Sequence, residues 1–218
     1  MFSEFSEISD QDTQKGIRLN TIADVQHKLN RTNSPLIVIK PLVESHQAAL
    51  LIDSLNNATG VWQYRHYIDV SISDNIKFPN TSGFGNIKFI IDRDITNWRS
   101  AGLSKETISI VKKFHKKGLT NFEASCLFWW VRNTLYFDQN LDVNPKFFLI
   151  NYTKFVESPS ATIDNIYKNI NICNCKVNTT VVGLNVKGAA SEPIILDDLK
   201  VLCDDMYLKL TSSNKNII

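Results

Sequence analysis

Arg65 stands at a strand end, the edge of a parallel sheet at which α/β ligands bind. Arg65 follows the apolar run VWQY (61–64) and opens a helical pattern, and Ser73 lies two helical turns further on. A guanidinium presents a planar fork to phosphate oxygens, and a serine hydroxyl adds a neutral donor. The competing reading pairs Arg65 with Asp69 at the i, i+4 spacing and leaves Ser73 facing solvent. Glu44 and His46 are titratable groups that follow the run ending at Lys40, and either could accept a proton near neutrality if burial or a neighbouring charge adjusted its pKa. The alternative makes Glu44 a first-turn carboxylate favoured by the helix dipole and leaves His46 exposed.

Other reactive side chains carry less. Cys126 and Cys203 sit on apolar helical patterns, where a thiol is a small core group. The pair Cys173-Asn-Cys175 has no second Cys/His pair at zinc spacing, so two reduced thiols and no metal are expected. Trp129 and Trp130, amid Leu127, Phe128 and Val131, read as helix-packing groups. Tyr152 reads as a strand-end tyrosine whose hydroxyl finds a backbone partner.

The elements that must position these residues alternate along the chain. LIVIK (36–40) is a β-branched run with breakers on both sides, expected as a buried parallel strand. A helix over 44–56 follows, then strand 61–64 and a helix from Tyr67 to about Lys77. Strand, helix, strand, helix with short joins predicts a parallel sheet with right-handed crossovers. The stretch 79–103 reads as loop-rich, with an ambiguous run IKFII. Helices are expected after Ser104 and after Thr120, the latter with Glu123 at the capping-box position. KFFLIN (146–151) is a third strand, and helices follow Pro159 and cover 196–210. A short helix is also expected over 20–31.

Composition sets the outer limits. At 218 residues, with 43% apolar and 21% charged side chains, the chain suits one globular domain rather than a disordered polymer. The reading is a polar lead-in over 1–17, one α/β domain over 18–212 and a tail over 213–218. A net charge of +2 without a basic block argues against a broad nucleic-acid surface, so any anion site is local. The first residues are acidic and polar, unlike a signal peptide, and no run reaches the roughly 18 apolar residues of a membrane span. The expected compartment is the cytoplasm.

Three segments together resemble the PAPS-dependent sulfotransferase family, in its bacterial-type branch. They are IVIKPLVESHQAALLIDSL, GVWQYRHYIDVSISDNIKF and LFWWVRNTLYFDQNLDVNPKFFLINYTKFVESP, and with what lies between and after them they span about 35–210. The resemblance implies a three-layer α/β fold of the P-loop NTPase-like sulfotransferase type, with a mostly parallel sheet. It implies that Arg65 and Ser73 hold the 3′-phosphate of PAPS or PAP. Glu44 or His46 then serves as the base for a hydroxyl-bearing acceptor. Lys187-Gly188 resembles the end of the family's late Arg-Lys-Gly phosphate motif, with Val186 where the arginine belongs, and a plain loop lysine is the alternative. Tyr152 stands where the family has a Tyr-Glu-Asp motif, but Thr153 and Lys154 follow it here.

The family's 5′-phosphosulfate loop, a strand and a Ser-Gly-Thr-Thr-type turn, belongs before position 35, and residues 1–34 do not resemble it. SGFGN (82–86) lacks the lysine and the flanking elements. The expectation is a sulfotransferase missing its N-terminal P-loop strand, through a truncated gene prediction or because a complementing segment or subunit supplies it. The other expectation is a non-catalytic remnant that keeps a nucleotide 3′-phosphate pocket or binds a partner.

Overall fold

The computed structural model describes residues 36–41, 43–172 and 193–217, together with 5–7, 17–19, 23, 26–27 and 30–31. Two short strands, β1 (Phe5–Glu7) and β2 (Ile17–Leu19), precede β3 (Lys40–Pro41) in an antiparallel sheet of order β2-β1-β3. A 3-10 turn at Glu44–Gln47 leads into α1 (Ala48–Ser54), then β4 (Gly60–Tyr64) and α2 (Tyr67–Lys77). α3 (Phe84–Ile91), α4 (Lys105–His115) and α5 (Asn121–Asp138) form the helical middle. β5 (Phe147–Asn151), α6 (Tyr152–Glu157), α7 (Pro159–Asn169) and α8 (Asp197–Thr211) complete the chain.

The protein is mixed α/β with a small parallel sheet. β4 and β5 pair in parallel from Gly60↔Phe147 to Tyr64↔Asn151. Residues 213–217, read from the sequence as a tail, lie along the other side of β5. Leu149 N–H donates to Lys215 O at 2.9 Å, and Ile217 N–H donates to Leu149 O at 3.2 Å. One face of β4 is covered: Trp62 meets Tyr136 of α5, and Tyr64 meets Tyr207 of α8. Val61 and Gln63 on the other face are exposed.

The LIVIK expectation needs correction. Leu36 to Ile39 form no strand, and Lys40–Pro41 pairs antiparallel with β1 instead of joining β4. The reason is visible in the burial: Val38 is 79% exposed, so the run does not supply the two-sided apolar burial of a parallel strand. The described sheet is accordingly two parallel strands with a short third segment, smaller than the sheet expected. The ambiguous IKFII stretch is helical, because Gly83 turns the chain at φ 54° and Asn121 Oδ1 accepts from Phe84 N–H at 3.1 Å. A side chain at Gly83 would strike the Asn121 carbonyl, so this entry into α3 requires glycine.

α5 is the spine of the molecule. Thr120 and Glu123 close its start with a capping box, as the S/T-x-x-E spacing predicts. It is buried on most sides, with Cys126, Leu127, Val131, Leu135 and Tyr136 at or near zero exposure. α2, α3 and α8 pack around it. Cys203 on α8 points its thiol at the Cys126 carbonyl, 3.6 Å away, so both thiols are core groups.

Candidate functional site

The C-terminal ends of β4 and β5 lie side by side, with Tyr64 opposite Asn151. In open parallel sheets this edge is where ligands bind, because helix N-termini converge there. Arg65 leaves the end of β4 and Tyr152 leaves the end of β5. The Arg65 guanidinium carbon stands 5.3 Å from the centre of the Tyr152 ring. Trp129 of α5 donates its indole N–H to the Arg65 carbonyl at 3.1 Å, fixing the backbone at this point.

Arg65 also donates to Asp69 Oδ2 at 3.2 Å, the i, i+4 pair that the residue spacing allowed. Ser73 lies two turns along the same helix and is half-buried rather than solvent-facing. His66 caps α2, its Nδ1 accepting from Ile68 N–H at 3.4 Å, and stacks on Tyr67 at 4.5 Å between ring centres. Sequence reasoning did not single out His66. The signal available was its position directly after the strand-end arginine, where a side-chain cap is needed. Asn151 caps α6 in the same way, accepting from Thr153 N–H at 3.0 Å and Lys154 N–H at 3.4 Å. The edge therefore holds a cation beside two helix starts whose first N–H groups donate to side-chain caps.

Glu44 and His46 lie elsewhere. Ser45, between them, accepts at its carbonyl from Gln139 Nε2 at 2.8 Å, near the end of α5. Arg65 meets α5 at Trp129, about 15 Å away along the helix axis at 1.5 Å per residue. Glu44 is a first-turn carboxylate of the 3-10 segment and is fully buried, with Oε2 accepting from Val43 N–H at 3.1 Å. His46 is half-buried against Gln47 Nε2 at 2.8 Å, and its Nδ1 is buried without a hydrogen-bond partner. Burial, and then the Arg132 charge, hold its pKa below the ordinary imidazole value, against the raising influence of Val43 and Glu44. At neutral pH the ring is uncharged, the form a general base requires.

Lys187, Gly188, Cys173 and Cys175 lie outside the described residues. Among the described residues no group of three or more His, Cys, Asp or Glu side chains is arranged to hold a metal ion. No described helix is long and apolar enough to cross a membrane. Comparison with protein-family models, curated proteins and solved structures finds no match for this chain.

Proposed function

We propose that the chain is a sulfotransferase-like domain that anchors the 3′-phosphate of PAPS or PAP at Arg65 and Ser73. The observation that carries this reading is the place of Arg65. It stands where a parallel strand ends and a helix begins, beside the equivalent exit of β5. The reaction supported by the resemblance is transfer of a sulfuryl group from PAPS to a hydroxyl acceptor, within the larger three-layer parallel fold of that family. Lys187 and Gly188 are assigned a minor share of phosphate contact.

His46 is the better base on electrostatic grounds, because burial and the Arg132 charge keep its imidazole neutral. Its distance from the Arg65 edge suits an acceptor-side role, since sulfuryl transfer occurs at the 5′ end of the donor and not at the 3′-phosphate. Binding energy at the 3′ end positions the donor, but charge developing at the leaving phosphate needs donors of its own. Those donors belong to a 5′-phosphosulfate loop carried by a further segment or a subunit. The alternative function is a binding domain that retains only the nucleotide 3′-phosphate pocket.

Labelled PAPS and a panel of hydroxyl acceptors separate the two. The 218-residue chain alone is expected to show no turnover, and addition of a segment carrying the loop is expected to restore it. Turnover by the chain alone overturns the assignment of the cradle to another segment. No turnover in either state, with PAP still bound, favours the binding domain.

A further inference from the structure

A second cationic site lies away from Arg65, around Trp98. The Arg99 guanidinium carbon is 4.4 Å from the centre of the Trp98 ring and 5.2 Å from that of Phe89. Arg132, reaching from α5, lies 5.1 Å from the same Trp98 ring. Two guanidinium groups thus share one indole, and both are half-buried.

Neither forms an ion pair with a carboxylate among the described residues. Arg99 Nε donates to Asn86 Oδ1 at 2.7 Å, a neutral acceptor. Arg132 donates to the Trp98 carbonyl at 2.9 Å and to the Ser45 hydroxyl, also neutral. Asp74 is close enough to favour the Arg99 charge but beyond ion-pair distance, and burial raises its own carboxyl pKa. Burial and then Arg99 push the Arg132 pKa down to about 10, so the pair repels itself. Partly buried cations are ordinarily matched by a carboxylate, because desolvating an unmatched charge costs several kcal/mol.

We propose that Arg99 and Arg132, with the Ser45 hydroxyl, form a binding site for an oxyanion group of a small molecule: a carboxylate, or a sulfate or phosphate ester. The Trp98 and Phe89 rings contact Arg99 at its guanidinium carbon, and a guanidinium takes an oxyanion through its in-plane N–H edge. Arg99's terminal N–H groups have no hydrogen-bond acceptor among the described residues. The site uses none of the residues assigned to the nucleotide 3′-phosphate and stands independently of that assignment. It adjoins His46, whose charge state Arg132 biases.

The test titrates the whole chain with sodium sulfate, sodium phosphate and sodium benzoate against sodium chloride at matched ionic strength. It follows the Trp98 indole and Arg99 Nε–H signals by nitrogen-resolved NMR. The expected result is a saturable shift with at least one oxyanion and none with chloride. Sulfate or phosphate acting alone identifies an ester group, and benzoate acting alone a carboxylate. R99Q is expected to weaken binding by roughly tenfold or more, in line with loss of charged hydrogen bonds. R99K keeps the charge, loses the fork and is expected to bind roughly tenfold weaker, which tests the site should R99Q fail to fold. No saturable response to any oxyanion, or a Trp98 response unchanged in R99Q or R99K, overturns the proposal.

Discussion

The Arg65 guanidinium is shared between Asp69 Oδ2 at 3.2 Å and the Tyr152 ring. A phosphate must compete with Asp69, whose side chain is 35% exposed, so the pair is of the weak kind worth about 0–1 kcal/mol. Asp69→Asn is therefore expected to strengthen binding of adenosine 3′,5′-bisphosphate by up to about fivefold, the equivalent of that range. Weaker binding by calorimetry would show that Asp69 orients Arg65 rather than competing for it. His46 carries a pH signature of its own. Its folded pKa lies below the ordinary value of 6.5, so the unfolded chain binds the extra proton first as pH falls. The stability tied to neutral His46 is complete above that value and is lost as pH drops through it toward the folded pKa. Thermal melting between about pH 7 and 5 should fall more steeply for the native chain than for His46→Gln. Equal slopes would remove His46 from the account. The strand end at Arg65 was legible in the sequence, because the run VWQY forms β4. That Glu44 and His46 sit far down α5 from Arg65 was not, because the contact between Ser45 and Gln139 joins positions 94 residues apart.

Element boundaries were most readable where the signal is local. The Thr120 and Glu123 capping box marks α5 within four residues, and Ser104 marks α4 through its bond from Thr107 N–H at 3.1 Å. The run IKFII was ambiguous because its helix start is completed by Asn121, 37 positions away. LIVIK misled because β-branched residues describe a preference for strand without saying which neighbour supplies the ladder. Glu123 also accepts from Leu196 N–H at 2.8 Å, tying the start of α8 to the cap of α5. Thr120→Ala should cost about 1 kcal/mol, the typical loss for a helix cap. Glu123→Ala should cost more, about 2–3 kcal/mol, since Leu196 N–H also loses its acceptor. Denaturant unfolding of the two variants checks the order, and equal losses would mean that the Leu196 contact adds nothing. Burial works to raise the Glu123 pKa, but hydrogen bonds from the Thr120 and Leu196 N–H groups and the Thr120 hydroxyl hold it below 4.5. The cap's stabilising effect is thus present above that value and lost as pH falls through the lowered pKa.

At the scale of the whole molecule, β4 and β5 are bonded directly, so no strand-wide gap separates them. A phosphate-loop strand either joins β4 on its outer side or parts the two strands. The pairing register, with Gly60 N–H donating to Lys146 O at 2.8 Å, turns Trp62 and Tyr64 N–H toward β5 and Val61 and Gln63 N–H away. Amide exchange should therefore be fast at Val61 and Gln63 and slow at Trp62 and Tyr64. A segment that docks on the outer edge should protect the first two and raise the melting temperature. Protection of Val61 and Gln63 in the chain alone would mean that this edge is already paired. The α/β class was readable from the strand patterns at 61–64 and 146–151 and the helical patterns between them, and not from a strand at 36–40. The size of the sheet was not readable, since it depends on which strands meet. The central claim is that Arg65 anchors a nucleotide 3′-phosphate. Its most direct test is calorimetry of adenosine 3′,5′-bisphosphate and adenosine 5′-monophosphate with the native chain and Arg65→Ala. The account predicts tighter binding of the bisphosphate, with a loss of about 1.5–3 kcal/mol for it alone in Arg65→Ala. Equal affinity for the two nucleotides, or bisphosphate binding unchanged by Arg65→Ala, would contradict it.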